Sequence, residues 1–309
     1  MGNILDIINV PLGYLFRYIF LVVQNYGWAL VLFTIITKAI LLPLSVKQQK
    51  SMSKMQAIQP KLAELQKKYQ YDKEKLNQET MKLYQTNKIN PMGGCLPLLI
   101  QFPLLIGLYN IIRSPLTYVI QLGKHGLPVL QEVIDALTPL GLSLTGNSIM
   151  NQIPVAKFMS EHFSELVEKF PVFANVKMIN FDFLGLDLSA TPQSAWSAMP
   201  LLLIIPVIAG LTTFLTSWLT QKMSGTPQPS ANGENSTAST MQMMNYIFPF
   251  MTAFFAFTLP AGLGLYWIVS NVVQLIQQII LTKYFKANIE DSTPEKTHYR
   301  ERESRRRKK

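Results

Sequence analysis

A single lysine within a long apolar stretch is the first candidate for chemistry in this chain. Lys38 is the only charged residue between Tyr26 and Val46, a run long enough to cross a bilayer as one helix. At the centre of a spanning helix a lysine costs roughly 2.5–3.5 kcal/mol, and such residues usually face a bundle interior or a wet cavity. Snorkelling of the ammonium to an interface is the alternative. Because the next charge, Lys47, is more than two helical turns away, we interpret Lys38 as a buried charge with a function.

Polar side chains in the other apolar stretches are spaced so that they could form a groove with Lys38. They fall at helical intervals of three or four residues, which places them on single helix faces. If these faces converge, they create a polar, positively charged groove between helices. The alternative is that threonines and glutamines hold the helices together, at about 0.6 kcal/mol each, which explains the threonines well and Lys38 poorly. The candidates are Thr34, Ser45, Gln101, Thr213, Thr216, Thr220, Trp267, Asn271, Gln274 and Gln278.

Composition indicates a polytopic membrane protein. The chain has 309 residues, of which 49% are hydrophobic and only 15% are charged, well below the roughly 25% charge of soluble domains. The apolar stretches predict an all-α protein with five transmembrane helices. Lysine exceeds acidic residues in 47–90, and basic residues again dominate from 284 onward, whereas 114–198 is acidic. Because basic loops stay in the cytoplasm, the pattern predicts an N-terminus outside and a C-terminus in the cytoplasm.

This topology divides the chain into ten segments. Residues 1–24 carry apolar side chains at helical spacing and predict an interfacial amphipathic helix outside, broken near Pro11. The segments that follow are the first span at 25–46, a cytoplasmic helical hairpin at 47–90, the second span at 91–113, an extracytoplasmic loop region at 114–198, the third span at 199–220, a disordered cytoplasmic linker at 221–244, the fourth span at 245–260, the fifth span at 261–283 and a basic cytoplasmic tail at 284–309.

Two basic cytoplasmic segments could contact a partner or a lipid surface. In the hairpin, which includes Lys67 and Lys68, the open alternatives are a solvated lysine face and a docking surface for anionic headgroups or a partner protein. In the tail, Arg305, Arg306 and Arg307 could bind ribosomal RNA phosphates or anionic lipid. The alternative is that the basic tail binds no partner and only increases solubility.

Several classes of chemistry have no pattern in the sequence. It contains no G-x-x-x-x-G-K-[ST] phosphate loop, no H-E-x-x-H motif and no cysteine–histidine cluster. The single cysteine, Cys95, excludes an intramolecular disulfide. We therefore expect a protein that is not an enzyme, has no catalytic residue, metal site or cofactor, and does not bind DNA.

Three motifs, in this order, resemble the YidC/Oxa/Albino family of membrane protein insertases. They are Asn90–Pro103 (NPMGGCLPLLIQFP), Phe183–Leu188 (FLGLDL) and Leu259–Asn271 (LPAGLGLYWIVSN). The chain is similar to the short bacterial form of the family, and the resemblance covers roughly residues 20–285. It implies a bacterial cell membrane location and a hydrophilic groove that opens to the cytosol and to lipid, with a basic residue on the first span. That residue is most often arginine, whereas this chain has Lys38, which keeps the charge but loses the planar fork.

The resemblance implies an insertase or chaperone for nascent membrane proteins. A hydrophobic segment would contact the lysine-rich hairpin, and its short polar flank would enter the groove, where Lys38 attracts acidic residues. The segment would then slide into lipid, without nucleotide. The partners that the resemblance implies are nascent membrane proteins and the Sec translocon, and the basic segments add the ribosome and anionic lipids. The alternative function is a small transporter or channel that uses Lys38 as an anion site, although transporters usually contain internal repeats and the two halves of the chain show none.

Overall fold

Helices account for most of the structure. The computed structural model describes residues 6–89, 96–143, 152–195, 197–224 and 236–291, and their predominantly helical content agrees with the predicted all-α class. The elements are, in chain order, α1 (Asp6–Val23), α2 (Tyr26–Ile40), α3 (Leu42–Lys68), α4 (Lys73–Thr86), α5 (Leu96–Arg113), a π-helix (Leu116–Ile120), α6 (Leu130–Leu137), α7 (Ile153–Glu161), α8 (Phe163–Lys169), β1 (Asp182–Phe183), β2 (Leu186–Asp187), α9 (Pro192–Ala195), α10 (Ile204–Ser224), α11 (Ser236–Thr258) and α12 (Ala261–Asp291).

Three stretches of the described chain are long and apolar enough to cross a membrane: Asp6–Val23, Pro200–Lys222 and Ala261–Tyr284. The pair α2 and α3 passes the same test of length and composition when it is taken together, which raises the number to as many as four. Within α11, Ile247–Thr258 is a shorter apolar helix. The helix predicted to lie at the outer interface, α1, therefore also has the length and composition of a span.

The first predicted span, 25–46, breaks before its inner end. α2 stops at Ile40, and α3 begins at Leu42 after a bend of 58°. Pro43 lies in the first turn of α3, where its missing N–H costs no helical hydrogen bond, whereas inside a continuous helix it would remove one and clash with the preceding turn. The boundary at residue 46 is therefore corrected to a break at Leu41, and the first helix of the predicted hairpin begins there rather than at 47.

Three helix boundaries and one predicted break also differ from the sequence-based assignment. α10 continues to Ser224, α11 begins at Ser236 and α12 continues to Asp291, so the predicted linker 221–244 is helical at both ends, the helix that contains the predicted fourth span begins before 245, and the helix of the predicted fifth span runs past 283. Extending a helix that has already formed needs no new nucleus, so helices often run past the end of an apolar stretch. α1 also continues through Pro11, because buried Phe16 and Phe20 hold it in place despite one lost hydrogen bond.

The chain divides into two compact units. Unit 1 comprises Met1–Thr37, Leu99–Thr213 and Phe248–Ser270, and unit 2 comprises Lys38–Leu98, Phe214–Ile247 and Asn271–Lys309. Unit 1 contains one continuous hydrophobic core to which α1, α2, α5, the π-helix and α12 all contribute. Its aromatic centre is formed by Phe16, whose ring lies 5.4 Å from that of Tyr26 and 5.7 Å from that of Phe33. Since Tyr26 and Phe33 are two turns apart on α2, α1 packs alongside that helix.

A short β-hairpin in unit 1 ties the segment 181–190 to the first turns of α2 and α12. Phe181 packs against Tyr26 with 5.0 Å between ring centres and an angle of 59° between the ring planes. At α12, the backbone N–H groups of Ala261 and Gly262 donate to the carbonyls of Ala190 and Leu188 at 2.9 and 3.0 Å. The first amides of a helix have no partner within the helix, so this segment stabilises the start of α12 by accepting from them.

Unit 2 contains the lysine-rich hairpin of α3 and α4. Ile58 and Leu62 on α3 are buried, while residues 70–75, at the turn between the two helices, are exposed. Asp72 ends the turn between the helices, and its side chain accepts from the backbone N–H of Lys75 at 2.9 Å, which is the usual role of an aspartate at a helix N-cap.

We expect Gly27→Ala to lower the melting temperature of the protein. A Cβ atom at Gly27 would lie 2.2 Å from ring atoms of Phe183, so the hairpin or the helix must shift, and overpacking of this kind costs about 1–3 kcal/mol. Combining the change with Phe183→Leu should restore part of the loss. The matched control is Gly262→Ala, whose Cβ would meet Leu30 Cδ1 at 3.3 Å and should cost less. Equal losses at both glycines would contradict this account.

We expect Asp187→Asn to lower stability at neutral pH and to have little effect in acid. Burial raises the pKa of Asp187, but hydrogen bonds from Ser189 and Lys157 outweigh it and leave the pKa below its ordinary value. A carboxylate with a lowered pKa contributes stability above its unfolded pKa, near 3.9, and loses that contribution as the pH falls through its folded pKa. The loss at pH 7 should be about 1 kcal/mol, because Lys157, at 2.9 Å, is half exposed.

The measurement for Asp187 is the melting temperature of both proteins from pH 7 down to pH 3. The control is Asp182→Asn, since Asp182 is exposed and accepts from Gly185 N at a long 3.4 Å. A difference between wild type and Asp187→Asn that stays constant across this range would show that the carboxylate charge is not what stabilises the turn.

Candidate functional site

Lys38 lies near the C-terminal end of α2 and is held by α12 within unit 2. Its side chain is half-buried, and Nζ donates to Gln274 Oε1 at 3.3 Å. Gln277, one turn further along α12, donates from Nε2 to the backbone carbonyl of Lys38 at 3.4 Å. The last carbonyls of a helix have no partner within the helix, and Lys38 is among the last residues of α2. Two glutamines on one helix therefore contact both the side chain and the backbone of the same lysine.

The ammonium of Lys38 has no acidic partner among the described residues. The three ion pairs found there join Lys82 to Glu79, Lys157 to Asp187 and His162 to Glu165. An ammonium carries three donors, and the recorded bond to Gln274 uses one of them without neutralising the charge. The arrangement can therefore attract a carboxylate, because the site itself supplies none.

The polar face of α12 continues towards its C-terminus in unit 2. Thr220 on α10 donates to Gln278 Oε1 at 3.2 Å. Gln49 on α3, which is buried, donates from Nε2 to Thr282 at 2.8 Å. Sequence reasoning did not select Gln49, Gln277 or Thr282 as site residues. The spacing of polar residues could have predicted Thr282, since it lies four residues after Gln278 and falls on the same helix face. Gln49, in contrast, lies in a charged segment where no such spacing singles it out.

The eleven predicted groove residues are divided between the two units. Seven belong to unit 2: Lys38, Ser45, Thr216, Thr220, Asn271, Gln274 and Gln278. Ser45 donates to the Leu41 carbonyl of its own helix at 3.3 Å, Thr216 is buried, and Asn271 is half-buried. Within unit 2, the structure thus brings Lys38 into contact with Gln274, and Thr220 into contact with Gln278.

The remaining four, Thr34, Gln101, Thr213 and Trp267, belong to unit 1. The buried threonines bond to their own helices, Thr34 to the Leu30 carbonyl at 2.7 Å and Thr213 to the Ala209 carbonyl at 2.8 Å, a common arrangement for hydroxyls in apolar helices.

Gln101 is the predicted groove residue of unit 1 that joins two helices. It lies on α5 and donates from Nε2 to the Tyr266 hydroxyl on α12 at 2.8 Å. Tyr266 is buried and was missed by sequence reasoning, although it directly precedes the half-buried Trp267. The bond satisfies a polar group from each helix inside an apolar core, where an unpaired one is costly.

The predicted contact residues Lys67 and Lys68 lie in the last turn of α3 and are exposed. Positive charge near a helix C-terminus is favourable, and Lys68 and Lys75 also lie 5.2 and 5.7 Å from the ring centre of Tyr69. The tip of the hairpin is therefore positively charged and solvent-facing. Arg305, Arg306 and Arg307 lie outside the described residues.

Metal chemistry has no site in the described part of the chain. No group of three or more histidine, cysteine, aspartate and glutamate side chains there could hold a metal ion.

Comparison with known proteins identifies relatives along nearly the whole chain. Residues 18–288 match the family model described as 60Kd inner membrane protein. The chain is 32% identical over 283 residues to the membrane protein insertase YidC of Dechloromonas aromatica, a match that covers 92% of this chain and 37% of that protein. It is 30% identical over 283 residues to the membrane protein insertase YidC of Fusobacterium nucleatum subsp. nucleatum, which covers 92% of this chain and 98% of the relative.

A solved structure of an active YidC insertase, with its first transmembrane domain resolved, is also similar. It has 26% sequence identity and a TM-score of 0.47, and the match covers 89% of this chain and 46% of that one. The relatives are named as insertases and not as enzymes, which agrees with the prediction that this chain is not an enzyme. The chain thus belongs to the 60Kd inner membrane protein family, the family of the bacterial YidC membrane protein insertases.

Proposed function

We propose that this protein inserts nascent membrane proteins into the bacterial cell membrane and that Lys38 receives the polar flank of the incoming segment. The observation that carries the proposal is the half-buried ammonium of Lys38, which contacts the neutral Gln274 and has no carboxylate partner in the part of the chain that the structure describes. Family membership and the insertase names of the relatives support the same function.

The proposed topology has five spans, an N-terminus outside and a C-terminus in the cytoplasm. The excess of basic residues in 47–90 and from 284 onward supports it. In this topology Lys38 lies near the cytoplasmic end of α2, close to the bend that leads into the hairpin. An acidic flank can then reach the lysine from the cytosol without crossing the whole apolar layer.

The proposed mechanism separates the polar flank of the client from its apolar segment. The charge of Lys38 and the polar face of α12 offset part of the cost of removing the flank from water. The apolar segment moves into lipid, favoured by about 25 cal/mol per Å2 of apolar surface removed from water. The membrane potential draws an acidic flank outwards at about 2.3 kcal/mol per charge per 100 mV. The scheme requires no nucleotide.

The partners that we propose follow from charge and from the family. The exposed lysines at the tip of α3, Lys67 and Lys68, suit anionic headgroups or an acidic surface of a partner. The basic tail with Arg305, Arg306 and Arg307 suits ribosomal RNA phosphates. We propose that the insertase acts alone or beside the Sec translocon. Thr34, Gln101, Thr213 and Trp267 remain predicted groove residues.

We expect Lys38→Gln to reduce insertion of a single-span client with an acidic N-terminal flank by at least about tenfold. An attraction across 4 Å at an effective dielectric of 20 is about 4 kcal/mol, so losing even a third of it has that effect. Lys38→Arg should retain most activity because it keeps the charge. The measurement is protease protection of the client flank in proteoliposomes. The control is Lys47→Gln, which removes an exposed charge nine residues further along the chain. Unchanged insertion together with lost anion flux would favour a transporter instead.

We expect Gln274→Glu to inhibit insertion as strongly as Lys38→Gln. A carboxylate at this position would pair with the ammonium 3.3 Å away and compete with the acidic flank of the client. Gln274→Leu should be milder, because it removes one hydrogen bond and leaves the charge free. The double variant Lys38→Gln with Gln274→Lys returns a positive charge to the same place and should recover insertion in the same protease-protection assay. Failure of Gln274→Glu to inhibit would mean that clients do not use the charge of Lys38.

A further inference from the structure

The turn between β1 and β2 exposes a leucine in a conformation that leucine disfavours. Leu184 and Gly185 have φ angles of 55° and 79°, as in the tight hairpin turns that favour asparagine or aspartate followed by glycine. A non-glycine residue with positive φ is uncommon, especially when its side chain is bulky. Leu184 is 77% exposed, so packing within the protein does not account for an apolar residue here.

The base of this hairpin is fixed to the first turn of α2. Phe183, the residue before the turn, is buried and packs edge-on against Trp28 with ring centres 5.4 Å apart. Asn25 donates from Nδ2 to the Asp182 carbonyl at 3.2 Å, and its Oδ1 accepts from the Trp28 backbone at 3.0 Å. These contacts therefore fix the position of the turn that contains Leu184 relative to the start of α2.

The exposed surface of α2 that begins beside this turn is apolar. Trp28, Leu32 and Ile35 are 50%, 37% and 43% exposed, and their spacing of four and three residues places them on one face of the helix. In a spanning helix such a face contacts lipid, and tryptophan is enriched where the apolar layer meets the headgroups. Leu184 directly follows Phe183, whose ring packs against Trp28 at the start of this face.

We propose that the β1–β2 turn docks into the outer leaflet of the bilayer, with Leu184 among the acyl chains next to Trp28. The binding partner is the lipid itself, and the contact anchors the segment 181–190, which accepts from the first amides of α12. The apolar side chain is retained at this strained position because it is buried in lipid. The inference rests on the proposed topology, in which α2 crosses the membrane with Trp28 at its outer end.

Spin labelling tests the depth of the turn. The single native cysteine is replaced by Cys95→Ser, and a nitroxide is attached at Leu184→Cys in protein reconstituted into phosphatidylcholine and phosphatidylglycerol vesicles. Accessibility to oxygen, which concentrates in lipid, is compared with accessibility to a water-soluble nickel chelate. Ile35→Cys gives the lipid reference and Glu168→Cys, exposed on α8, the water reference. Because the label at position 184 replaces an exposed side chain, the labelled protein should have the same melting temperature as the unlabelled Cys95→Ser protein.

The expected result is an oxygen-to-nickel ratio at 184 that is several-fold above that at 168 and close to that at 35. A ratio at 184 equal to that at 168, with 35 still in lipid, overturns the docking of the turn and leaves the topology intact. Nickel accessibility at both 184 and 35 overturns the topology as well. Protection at 184 that appears only after addition of the Sec translocon identifies a protein as the partner of this turn and overturns the lipid assignment.

Discussion

The contact between Lys38 and Gln274 is the feature on which the rest of the site depends. An ammonium within an apolar helix needs polar neighbours, and the usual solution in a protein interior is a carboxylate. Here an amide oxygen takes that place at 3.3 Å. An amide satisfies a donor but carries no charge, so the field of the lysine is not cancelled. We therefore propose that the site is stable enough to form and can still attract the acidic flank of a client.

Two sets of contacts position α12, which supplies that amide. In unit 1, its first N–H groups donate to the carbonyls of Leu188 and Ala190, and Tyr266 accepts from Gln101. In unit 2, its glutamines and Thr282 contact α2, α3 and α10. Each contact satisfies polar groups that would be costly in an apolar layer. Within unit 2, the contacts of Gln277, Gln278 and Thr282 hold this part of α12 so that Gln274 faces Lys38.

The sequence predicts some of these features and not others, because only some of them leave a pattern in neighbouring residues. Local rules found Lys38, because one charge in a long apolar run is conspicuous, and Gln274, because the polar face of α12 repeats every three or four residues. The bend at Leu41 has a local cause in Pro43, whose place near the end of the predicted first span permits a kink, but the apolar run continues to residue 46 and does not show where the first helix ends. The ends of α10 and α11 were missed because helix propagation depends little on hydrophobicity.

Local sequence patterns do not predict contacts between segments that are far apart in the chain. Gln49 lies 233 residues from its partner Thr282, and its own neighbours form a charged helix that indicates only a hairpin. Periodicity shows which residues share a face but not which helix that face meets. The division of the predicted groove residues between two units is of the same kind, since it depends on packing along the whole chain.

The choice of lysine at position 38 is consistent with recognition by charge rather than by shape. A guanidinium presents five donors in a rigid plane and is best satisfied by two parallel acceptors, whereas an ammonium is compact and its three donors can rotate. Gln274 offers one acceptor oxygen to the side chain, which suits the smaller group and leaves donors for a client. A carboxylate that approaches Lys38 need not match a fixed plane. Selectivity at this position should therefore follow the sign of the flank's charge and tolerate wide variation in its geometry.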